Sequence, residues 1–296
     1  MSATWPVTVV VPTIGRPELL EACLASLAAC EPRADEVLVV DQSGGDAVRS
    51  VVETYASAGV RVLTLDVANK SLAVNLALEQ ARHDAVLLTD DDCTVAPSWV
   101  GVAWSQLERD PEAMVTGRVL AAGDELAVPS TIDDETPREY TGEIHYGALY
   151  GGNMACRASL VLAEGGFDER LTVAEDNDLC YRWLRSGRPL RYEPELVVWH
   201  HAWRSETEMS RLHRSYGHGQ GLFYAKHLRA GDLAVVPFLA RDLYRGARGV
   251  AARAVRRRTG WPDPRTGLLS GLVAGLVAGW RTFGPRGTPR AGAGGS

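Results

Sequence analysis

The chain has 296 residues, of which 46% are hydrophobic and 23% charged, and its formal net charge is −6. These fractions are typical of folded globular proteins, and they exclude a disordered or collagen-like chain. The length indicates one large α/β domain with an appendage, or two domains, and the negative charge argues against nucleic acid as the partner.

The first 90 residues alternate between short apolar runs and helical patterns. The predicted strands are 7–11, 36–40, 60–65 and 84–89, and the predicted helices are 18–30, 46–58 and 71–82. This alternation is typical of β/α units that build a parallel sheet. Because the strand runs are apolar at successive positions, we expect helices to cover both faces of the sheet.

The rest of the chain is less regular, and its patterns predict fewer elements. They are a strand at 114–123, a polar loop or lid at 124–143, helices at 160–164 and 176–186, a strand at 196–199, and helical structure beyond 206. Gly187 is expected to end the longer of these two helices, since glycine is favoured directly after a helix.

Polar side chains follow the predicted strands directly. Thr13 and Arg16 come after the first strand, Asp41 after the second, and the run Asp90 to Asp92 after the fourth. Ligands of open α/β sheets bind at the carboxyl ends of the strands, so we expect these side chains to meet in one crevice. The sequence has no GxGxxG after the first strand, which disfavours a dinucleotide fold, and no GxxxxGK[ST], which excludes a P-loop.

The run Asp90 to Asp92 is the strongest chemical signal in the sequence. Adjacent carboxylates repel one another by about 1 kcal/mol per pair near a protein surface, and a bound cation removes that cost. Hard oxygen ligands suit Mg²⁺ or Mn²⁺. The alternative interpretation is a solvated acidic turn.

Two further groups could carry chemistry. Glu175 and Asp176 begin a predicted helix, where a carboxylate could serve as a general base. Acidic residues in the first turn also stabilise a helix, so a purely structural role stays open. His200 and His201 follow a predicted strand, and one of them could act as a metal ligand, although a single histidine more often has a structural role.

In their order and spacing, the motifs of residues 7–205 resemble those of the family 2 glycosyltransferases. The motifs are VVVPT at 9–13 with Arg16, VLVVD at 37–41, residues 71–75, Asp90 to Asp92, GGN at 151–153, GFD at 166–168, Glu175–Asp176 and His200. The resemblance implies the nucleotide-diphospho-sugar transferase (GT-A) fold: an α/β fold with a mostly parallel, Rossmann-like sheet, flanking helices and a C-terminal helical appendage. It implies a glycosyltransferase domain at 1–205. The residues that follow predict a basic helical region at 206–285 and a disordered tail at 286–296.

The resemblance also implies roles for individual residues. The implied nucleotide-sugar contacts are Pro12, Thr13, Arg16, Asp41, Lys70, Asn75, Asp90 and Asp91. Gly152 and Asn153 fall where the family lines the sugar and acceptor pocket. Asp92 and His200 fall at positions that hold a divalent metal, Mn²⁺ or Mg²⁺. Lys70 is included because Val74 stands where the family often has an arginine.

The implied reaction transfers a sugar from a nucleotide-diphospho-sugar to an acceptor hydroxyl, with inversion at the anomeric carbon. Asp176 falls at the position of the family's general base, with Glu175 as its neighbour. A UDP-sugar is the favoured donor and a dTDP-sugar is the alternative. The acceptor is a cell-envelope glycan, a lipid-linked sugar or a secondary metabolite. Leu179 replaces the glutamine of the QxxRW motif of processive synthases, so we expect non-processive transfer.

Two other functions stay open. A sugar-nucleotide pyrophosphorylase has a related fold, but it requires a glycine-rich basic loop after the first strand, and residues 12–16 are too short and too poor in glycine for that. A non-catalytic carbohydrate-binding scaffold on the same fold would show no metal-dependent stabilisation by nucleoside diphosphates.

The C-terminal region differs in charge from the rest of the chain. Residues 241–296 contain eleven arginines and two aspartates, a charge of +9 that leaves −15 for the first 240 residues. Arginines alternate with apolar residues over 239–258, which predicts a basic amphipathic helix before the apolar segment 268–280. Such a pair could lie on an anionic membrane surface or pack as an appendage on the acidic body.

The sequence also bears on location in the cell. No apolar segment reaches the ~18–20 residues of a membrane span, and no basic region precedes the first short apolar run as it would in a signal peptide. The five cysteines form no CxxC pair, which fits a reducing compartment. We therefore expect a cytoplasmic protein, peripheral on the inner face of the membrane if the basic region binds lipid.

Overall fold

The computed structural model describes residues 4–141, 147–256 and 264–284. The chain divides into two compact units, which we call the N-terminal unit (residues 1–169 and 176–202) and the C-terminal unit (residues 170–175 and 203–296). The expected tail at 286–296 lies outside the described residues.

The first half of the N-terminal unit consists of the β/α units that the sequence predicts. Its elements are β1 (Thr4–Thr13), α1 (Pro17–Ala28), β2 (Arg33–Asp41), α2 (Asp46–Thr54), β3 (Val60–Thr64), α3 (Lys70–Gln80) and β4 (Ala85–Thr89). Strand β1 lies between β2 and β4 and runs parallel to both, and β3 pairs in parallel with β2. The carboxyl ends of these four strands therefore lie at one edge of the sheet.

The second half of the unit mixes strand directions. Its elements are β5 (Cys93–Val95), α4 (Trp99–Arg109), β6 (Met114–Ala122), β7 (Arg138–Tyr140), β8 (Asn153–Arg157), α5 (Ala158–Ala163), α6 (Glu175–Arg185) and β9 (Leu190–His201). Strand β8 lies antiparallel between β4 and β6, while β9 runs parallel to β6 and antiparallel to β5 and β7.

The complete sheet is mixed rather than mostly parallel as expected. Its strand order is β3-β2-β1-β4-β8-β6-β9-β5, and β7 pairs with β9 outside this order. The difference arises because β8 enters against the direction of β4. Strand β7 also falls within the segment 124–143 that the sequence predicts to be a loop or lid.

Apolar side chains fill both faces of the sheet. Val9 and Val11 of β1 pack on one face together with Trp99 of α4, and Val10 packs on the other face together with Trp183 of α6. All five side chains are fully buried, and each buried large apolar side chain contributes about 1.5–3 kcal/mol. This two-sided core explains why the strand runs lack polar alternation.

The C-terminal unit is helical, with α7 (Glu206–Arg229), α8 (Val236–Arg256) and α9 (Pro264–Thr282). A reciprocal capping box of Ser205 and Glu208 begins α7. Helices α7 and α9 pack closely through glycines: a Cβ atom on Gly275 would lie 2.0 Å from the His218 carbonyl oxygen. Within the described ranges, no helix has both the length and the apolar character needed to cross a membrane.

Candidate active site

The sheet register brings the predicted strand-end residues to one edge. Thr13 ends β1 directly opposite Asp41 of β2, and the aspartate run begins immediately after β4, on the other side of β1. The hydroxyl of Thr13 donates a 2.6 Å hydrogen bond to Asp91, 78 residues away. Asp41 accepts a 2.8 Å hydrogen bond from the backbone N–H of Ser43, which shapes the loop after β2. The Pro12 ring is buried within the β1–β2 pairing.

Asp91 holds the loop after β1 against the aspartate run. Its carboxylate is fully buried and pairs with the guanidinium of Arg16, which also reaches Asp92 at 3.1 Å. Burial raises the pKa of Asp91 to about 6, against the opposing effects of the Arg16 charge and the Thr13 hydroxyl. The side chain of Asp91 thus orients Thr13 and Arg16, and a nucleotide contact by Asp91 itself stays a prediction.

Strand pairing identifies which histidine faces the aspartates. Strand β5 follows the aspartate run and places Cys93 opposite His200 of β9. His200 Nε2 lies 3.4 Å from Asp92 Oδ2, and His200 Nδ1 lies 3.0 Å from the hydroxyl of Tyr150. His201 points to the other face of the strand, where its Nε2 lies 3.1 Å from the Thr94 hydroxyl.

The donor atoms around Asp92 fit a divalent cation. One ligand atom from each of Asp92, Cys93 and His200 lies within 4.8 Å of the others, and all three residues are buried. Burial raises the pKa of the Cys93 thiol well above its ordinary value. The Asp92 carboxylate and the His200 imidazole are an oxygen and nitrogen donor set, which suits Mn²⁺ or Mg²⁺, whereas a bound thiolate would favour a softer metal.

A glycine turn separates Asp90 from Asp176. A Cβ atom on Gly152 would lie 2.5 Å from Asp90 Oδ2, and one on Gly151 would lie 3.5 Å from Asp176 Cβ. Lys70, the first residue of α3, pairs with Asp90 at 2.5 Å between Nζ and Oδ1. Any side chain at position 152 would displace the Asp90 carboxylate, so the close approach requires glycine.

Asp176 is a half-buried carboxylate near the start of α6. Its Oδ1 accepts a 2.8 Å hydrogen bond from the backbone N–H of Asn177, and its Oδ2 accepts a 3.4 Å hydrogen bond from Gly151. Burial raises the pKa of Asp176 above its ordinary value, although the nearby Lys70 charge and these N–H groups oppose the shift. A raised pKa makes a carboxylate a better proton acceptor. Glu175 precedes it, is 8% exposed and belongs to the C-terminal unit.

Two predicted site residues have their amide groups engaged elsewhere. Asn75 donates to the carbonyl of Phe167 at 2.9 Å and accepts from its N–H at 2.8 Å, which clamps the loop after α5. Asn153 accepts from the Trp99 indole at 2.9 Å, and both its amide hydrogens go to backbone carbonyls of β6 and β9. Geometry therefore favours a structural role for both side chains over contact with donor or sugar.

Sequence reasoning did not single out Tyr150, which contacts His200 directly. No periodicity marks this residue, because it lies in a loop before β8. The neighbouring Gly151–Gly152 pair was the available signal, since adjacent glycines indicate a close backbone approach.

With this geometry in place, comparison with known proteins identifies the family. The sequence profile described as glycosyl transferase family 2 matches residues 8–157, about half of the chain. The chain belongs to glycosyl transferase family 2. The match contains β1 to β8, and therefore the aspartate run and the Gly151–Gly152 turn.

Curated relatives of this family 2 chain are glycosyltransferases. It is 29% identical over 205 residues to the pre-mycofactocin glycosyltransferase of Mycobacterium tuberculosis H37Rv, an alignment that covers 66% of the chain and 42% of the relative. It is 28% identical over 191 residues to the amylovoran biosynthesis glycosyltransferase AmsE of Erwinia amylovora, covering 62% of the chain and 70% of AmsE. The chain thus spans about two fifths of the length of the mycobacterial relative.

Solved structures confirm the predicted GT-A fold. The mannosyltransferase PcManGT of Pyrobaculum calidifontis, in complex with GDP-Man and Mn²⁺, superposes with a TM-score of 0.64 at 19% identity, covering 93% of this chain and 87% of PcManGT. S. aureus TarS 1–349, in complex with UDP-GlcNAc, gives a TM-score of 0.56 at 18% identity, covering 94% of this chain and 90% of the TarS chain. At these identities the similarity is one of fold.

Proposed function

We propose that this family 2 protein transfers a sugar from a nucleotide-diphospho-sugar to an acceptor hydroxyl by single displacement, with inversion at the anomeric carbon. The observation that carries the proposal is the turn at Gly151 and Gly152. Gly152 lies against the Asp90 carboxylate, and Gly151 lies against Asp176. A nucleotide-sugar at Asp90 and an acceptor at Asp176 would thus lie on either side of one two-residue turn.

The donor is expected to bind at the strand ends. Asp41, Thr13 and Asp90 lie at this edge, and Lys70 and Arg16 supply positive charge beside the carboxylates. PcManGT was solved with GDP-Man and TarS with UDP-GlcNAc, which supports a nucleotide-sugar as the donor class. We favour a UDP-sugar, with a dTDP-sugar as the alternative.

Asp92 and His200 are the residues that would hold a divalent metal, Mn²⁺ or Mg²⁺. Their donor atoms are buried and close, and Tyr150 at His200 Nδ1 fixes the orientation of the ring. When bound, such an ion stabilises the negative charge that develops on the departing nucleoside diphosphate.

Asp176 is the proposed general base. The acceptor oxygen forms a bond to the anomeric carbon while the bond from that carbon to the diphosphate oxygen breaks, and the proton of the acceptor hydroxyl moves to the Asp176 carboxylate. Only the ionised carboxylate can accept this proton, and burial raises its pKa. Activity should therefore rise with pH through that raised pKa and be lost as pH falls below it.

The proposed acceptor is a cell-envelope glycan, a lipid-linked sugar or a secondary metabolite. AmsE is named for amylovoran biosynthesis and the mycobacterial relative for pre-mycofactocin, so the names of the relatives do not favour one of these classes. Leu179 replaces the glutamine of processive synthases, which favours addition of one or a few sugars.

We also propose that the C-terminal unit associates with an anionic membrane surface from the cytoplasmic side. Helix α9 exposes Val273, Val277 and Trp280, each about half exposed, and α8 carries exposed arginines. Apolar side chains beside basic ones are typical of helices that lie at a membrane surface. The protein should float with anionic vesicles at low salt and not with neutral ones; failure to float with either contradicts the association.

The activity is tested by incubating the purified chain with Mn²⁺ and a panel of UDP-, dTDP- and GDP-sugars while measuring released nucleoside diphosphate. We expect release from one donor class and none after removal of metal by EDTA. A pyrophosphorylase would instead consume pyrophosphate and release a nucleoside triphosphate. A chain that releases no nucleoside diphosphate, and that no nucleoside diphosphate stabilises in a metal-dependent way, would support the non-catalytic scaffold. That result would contradict the proposal.

A further inference from the structure

The C-terminal unit contains a large cavity that the proposed reaction does not use. It has a volume of about 900 Å³, and among the described residues its lining comes from α7, α8 and α9. This volume lies at the upper end of the range of small-molecule sites, about 300–1,000 Å³.

One wall of the cavity is apolar. Leu268, Leu269 and Leu272 of α9 line it, and glycines stand opposite them on the other helices, at Gly217 of α7 and Gly246 of α8. Both glycines lie directly against α9, since a Cβ atom would come 2.1 Å from the Leu268 carbonyl oxygen at Gly217 and 3.0 Å from a Leu269 side-chain carbon at Gly246. The cavity is therefore bordered by these contacts and not opened by missing side chains. Gln220 of α7 adds one amide side chain to the lining.

The other wall carries positive charge. Arg241, Arg245 and Arg248 line the cavity from α8, and their spacing of four and three residues places them on one face of the helix. Within the described parts of the chain, Arg245 has no carboxylate partner. Arg248 lies over the ring of Tyr244, with its guanidinium carbon 5.6 Å from the ring centroid.

Among the described lining residues, Asp242 supplies the one carboxylate of this wall. It accepts a 2.6 Å hydrogen bond from the Tyr224 hydroxyl, and its other oxygen lies 3.2 Å from Arg241 Nε. The lining therefore keeps a net positive charge, and guanidinium groups are well suited to phosphate.

An exposed apolar stripe continues from the cavity along α9. Val273, Val277 and Trp280 follow Leu269 at intervals of four, four and three residues, which places all four on one side of the helix. The three outer residues are 49%, 54% and 51% exposed. A ligand drawn from a bilayer would find an apolar path beside the cavity, which a water-soluble phosphate does not need.

We propose that this cavity binds one membrane lipid that has a phosphate headgroup, with the phosphate at Arg245 and Arg248 and part of an apolar chain against Leu268 and Leu272. Charge complementarity selects the headgroup, and the leucine wall selects the chain. The proposal relies on membrane association only for the source of the lipid and is independent of glycosyl transfer.

The test is isothermal titration calorimetry of the full chain with three probes. Dodecyl phosphate, kept below its critical micelle concentration, presents both features, dodecyl maltoside presents the chain with a neutral head, and inorganic phosphate presents the head alone. We expect dodecyl phosphate to bind at least about tenfold more tightly than either of the others, because only it engages both walls.

Substitutions locate the binding. The double variant Arg245→Gln/Arg248→Gln should weaken dodecyl phosphate binding by about tenfold or more, and Leu268→Gln should weaken it as well. Arg281→Gln, an exposed arginine of α9 outside the cavity, is the charge-matched control and should bind as the unmodified chain does. These positions are exposed, so the variants should fold, which circular dichroism checks.

Several results would overturn the proposal. Equal affinity for dodecyl maltoside would mean an apolar cavity without headgroup selection, and equal affinity for inorganic phosphate would mean a free-anion site. An equal loss in Arg281→Gln would mean attraction by overall charge. Binding of UDP with Mn²⁺, measured on the same samples, reports the N-terminal site separately, so its failure would count against glycosyl transfer alone.

Discussion

The N-terminal unit is filled by large side chains, whereas the C-terminal unit is held by glycines. Trp99 and Trp183 are fully buried on opposite faces of the sheet. In the C-terminal unit, a Cβ atom on Gly221 of α7 would lie 2.3 Å from a carbonyl oxygen of α9, and one on Gly271 of α9 would lie 2.2 Å from a carbonyl oxygen of α7. Packing through backbone leaves Val273, Val277 and Trp280 of α9 about half exposed, and these side chains form the apolar stripe.

The two units also use charge differently. The carboxylates of Asp91 and Asp92 are buried and that of Asp176 is half-buried, and all three accept hydrogen bonds. In contrast, Arg241, Arg245 and Arg248 of α8 are exposed. Buried charges interact strongly and shift pKa values, whereas exposed ones are weakened by solvent and salt. Single substitutions should therefore have large effects in the N-terminal site and smaller, salt-dependent effects in the C-terminal unit.

The largest effect is expected at the general base. Asp176→Asn should lower turnover by about 10²–10⁴-fold, because the amide cannot accept the acceptor proton, while the affinity for the donor stays nearly unchanged. Steady-state kinetics and donor calorimetry measure the two quantities. Asp46→Asn, at the exposed start of α2, is the matched control. Turnover within a few-fold of the unmodified chain would remove Asp176 from the mechanism.

The buried charge of Asp91 should make stability depend on pH. Its pKa is raised to about 6 in the folded chain from an ordinary value of 3.8, so the fold favours the protonated form. Stability from this group is fully present below pH 3.8 and is lost as pH rises through 6, by at most about 3 kcal/mol.

Urea unfolding at low and neutral pH measures this dependence. Asp91→Asn cannot ionise, so its stability relative to the unmodified chain should improve between pH 4 and pH 7. A difference in unfolding free energy that stays constant with pH would show that Asp91 titrates normally.

The glycine packing of the C-terminal unit should not tolerate a methyl group. A Cβ atom at Gly275 would lie 2.0 Å from a backbone oxygen of α7, so Gly275→Ala should destabilise this unit by about 1–3 kcal/mol. Gly45→Ala is the control, because a Cβ atom there meets nothing within 4 Å. Thermal unfolding followed by circular dichroism distinguishes them, and equal melting curves would contradict the close α7–α9 approach.

The smallest effect is expected at Ala174, which precedes the Glu175–Asp176 pair. Its φ of 66° lies in the left-handed region, which costs a residue with a Cβ atom about 1 kcal/mol. Ala174→Gly should therefore raise stability by up to about 1 kcal/mol, partly offset by the freedom of glycine in the unfolded chain. A lower melting temperature in Ala174→Gly would indicate that the methyl group packs usefully.

Sequence predicts the first half of the sheet well and the second half poorly. The apolar runs of β1, β2 and β4 carry a strong signal because helices cover both faces of the sheet there. Strands β5 and β7 are three residues long, too short for any periodicity, and β8 is set by its pairing with β4. Helix α4 was also absent from the predicted elements.

The residues of the candidate active site divide in the same way into those that the sequence predicts and those that it does not. Residues at the ends of strong strands, such as Thr13 and Asp90, are predictable because chain order and strand direction place them at one edge. The choice between the two histidines required the pairing of β5 with β9, which brings together positions 107 residues apart. The structural roles of Asn75 and Asn153 depend on distant backbone groups that no local pattern reveals.

The most direct test is whether Asp92 and His200 hold a divalent ion together with a nucleoside diphosphate. Electron paramagnetic resonance of Mn²⁺ measures the free ion as the chain is added with UDP, dTDP or GDP. The unmodified chain and Asp46→Asn should bind Mn²⁺ with one of these nucleotides, and Asp92→Asn and His200→Ala should weaken that binding by about tenfold or more. Mn²⁺ binding that is the same in all four proteins, or absent from all four, would contradict a metal-dependent transferase site.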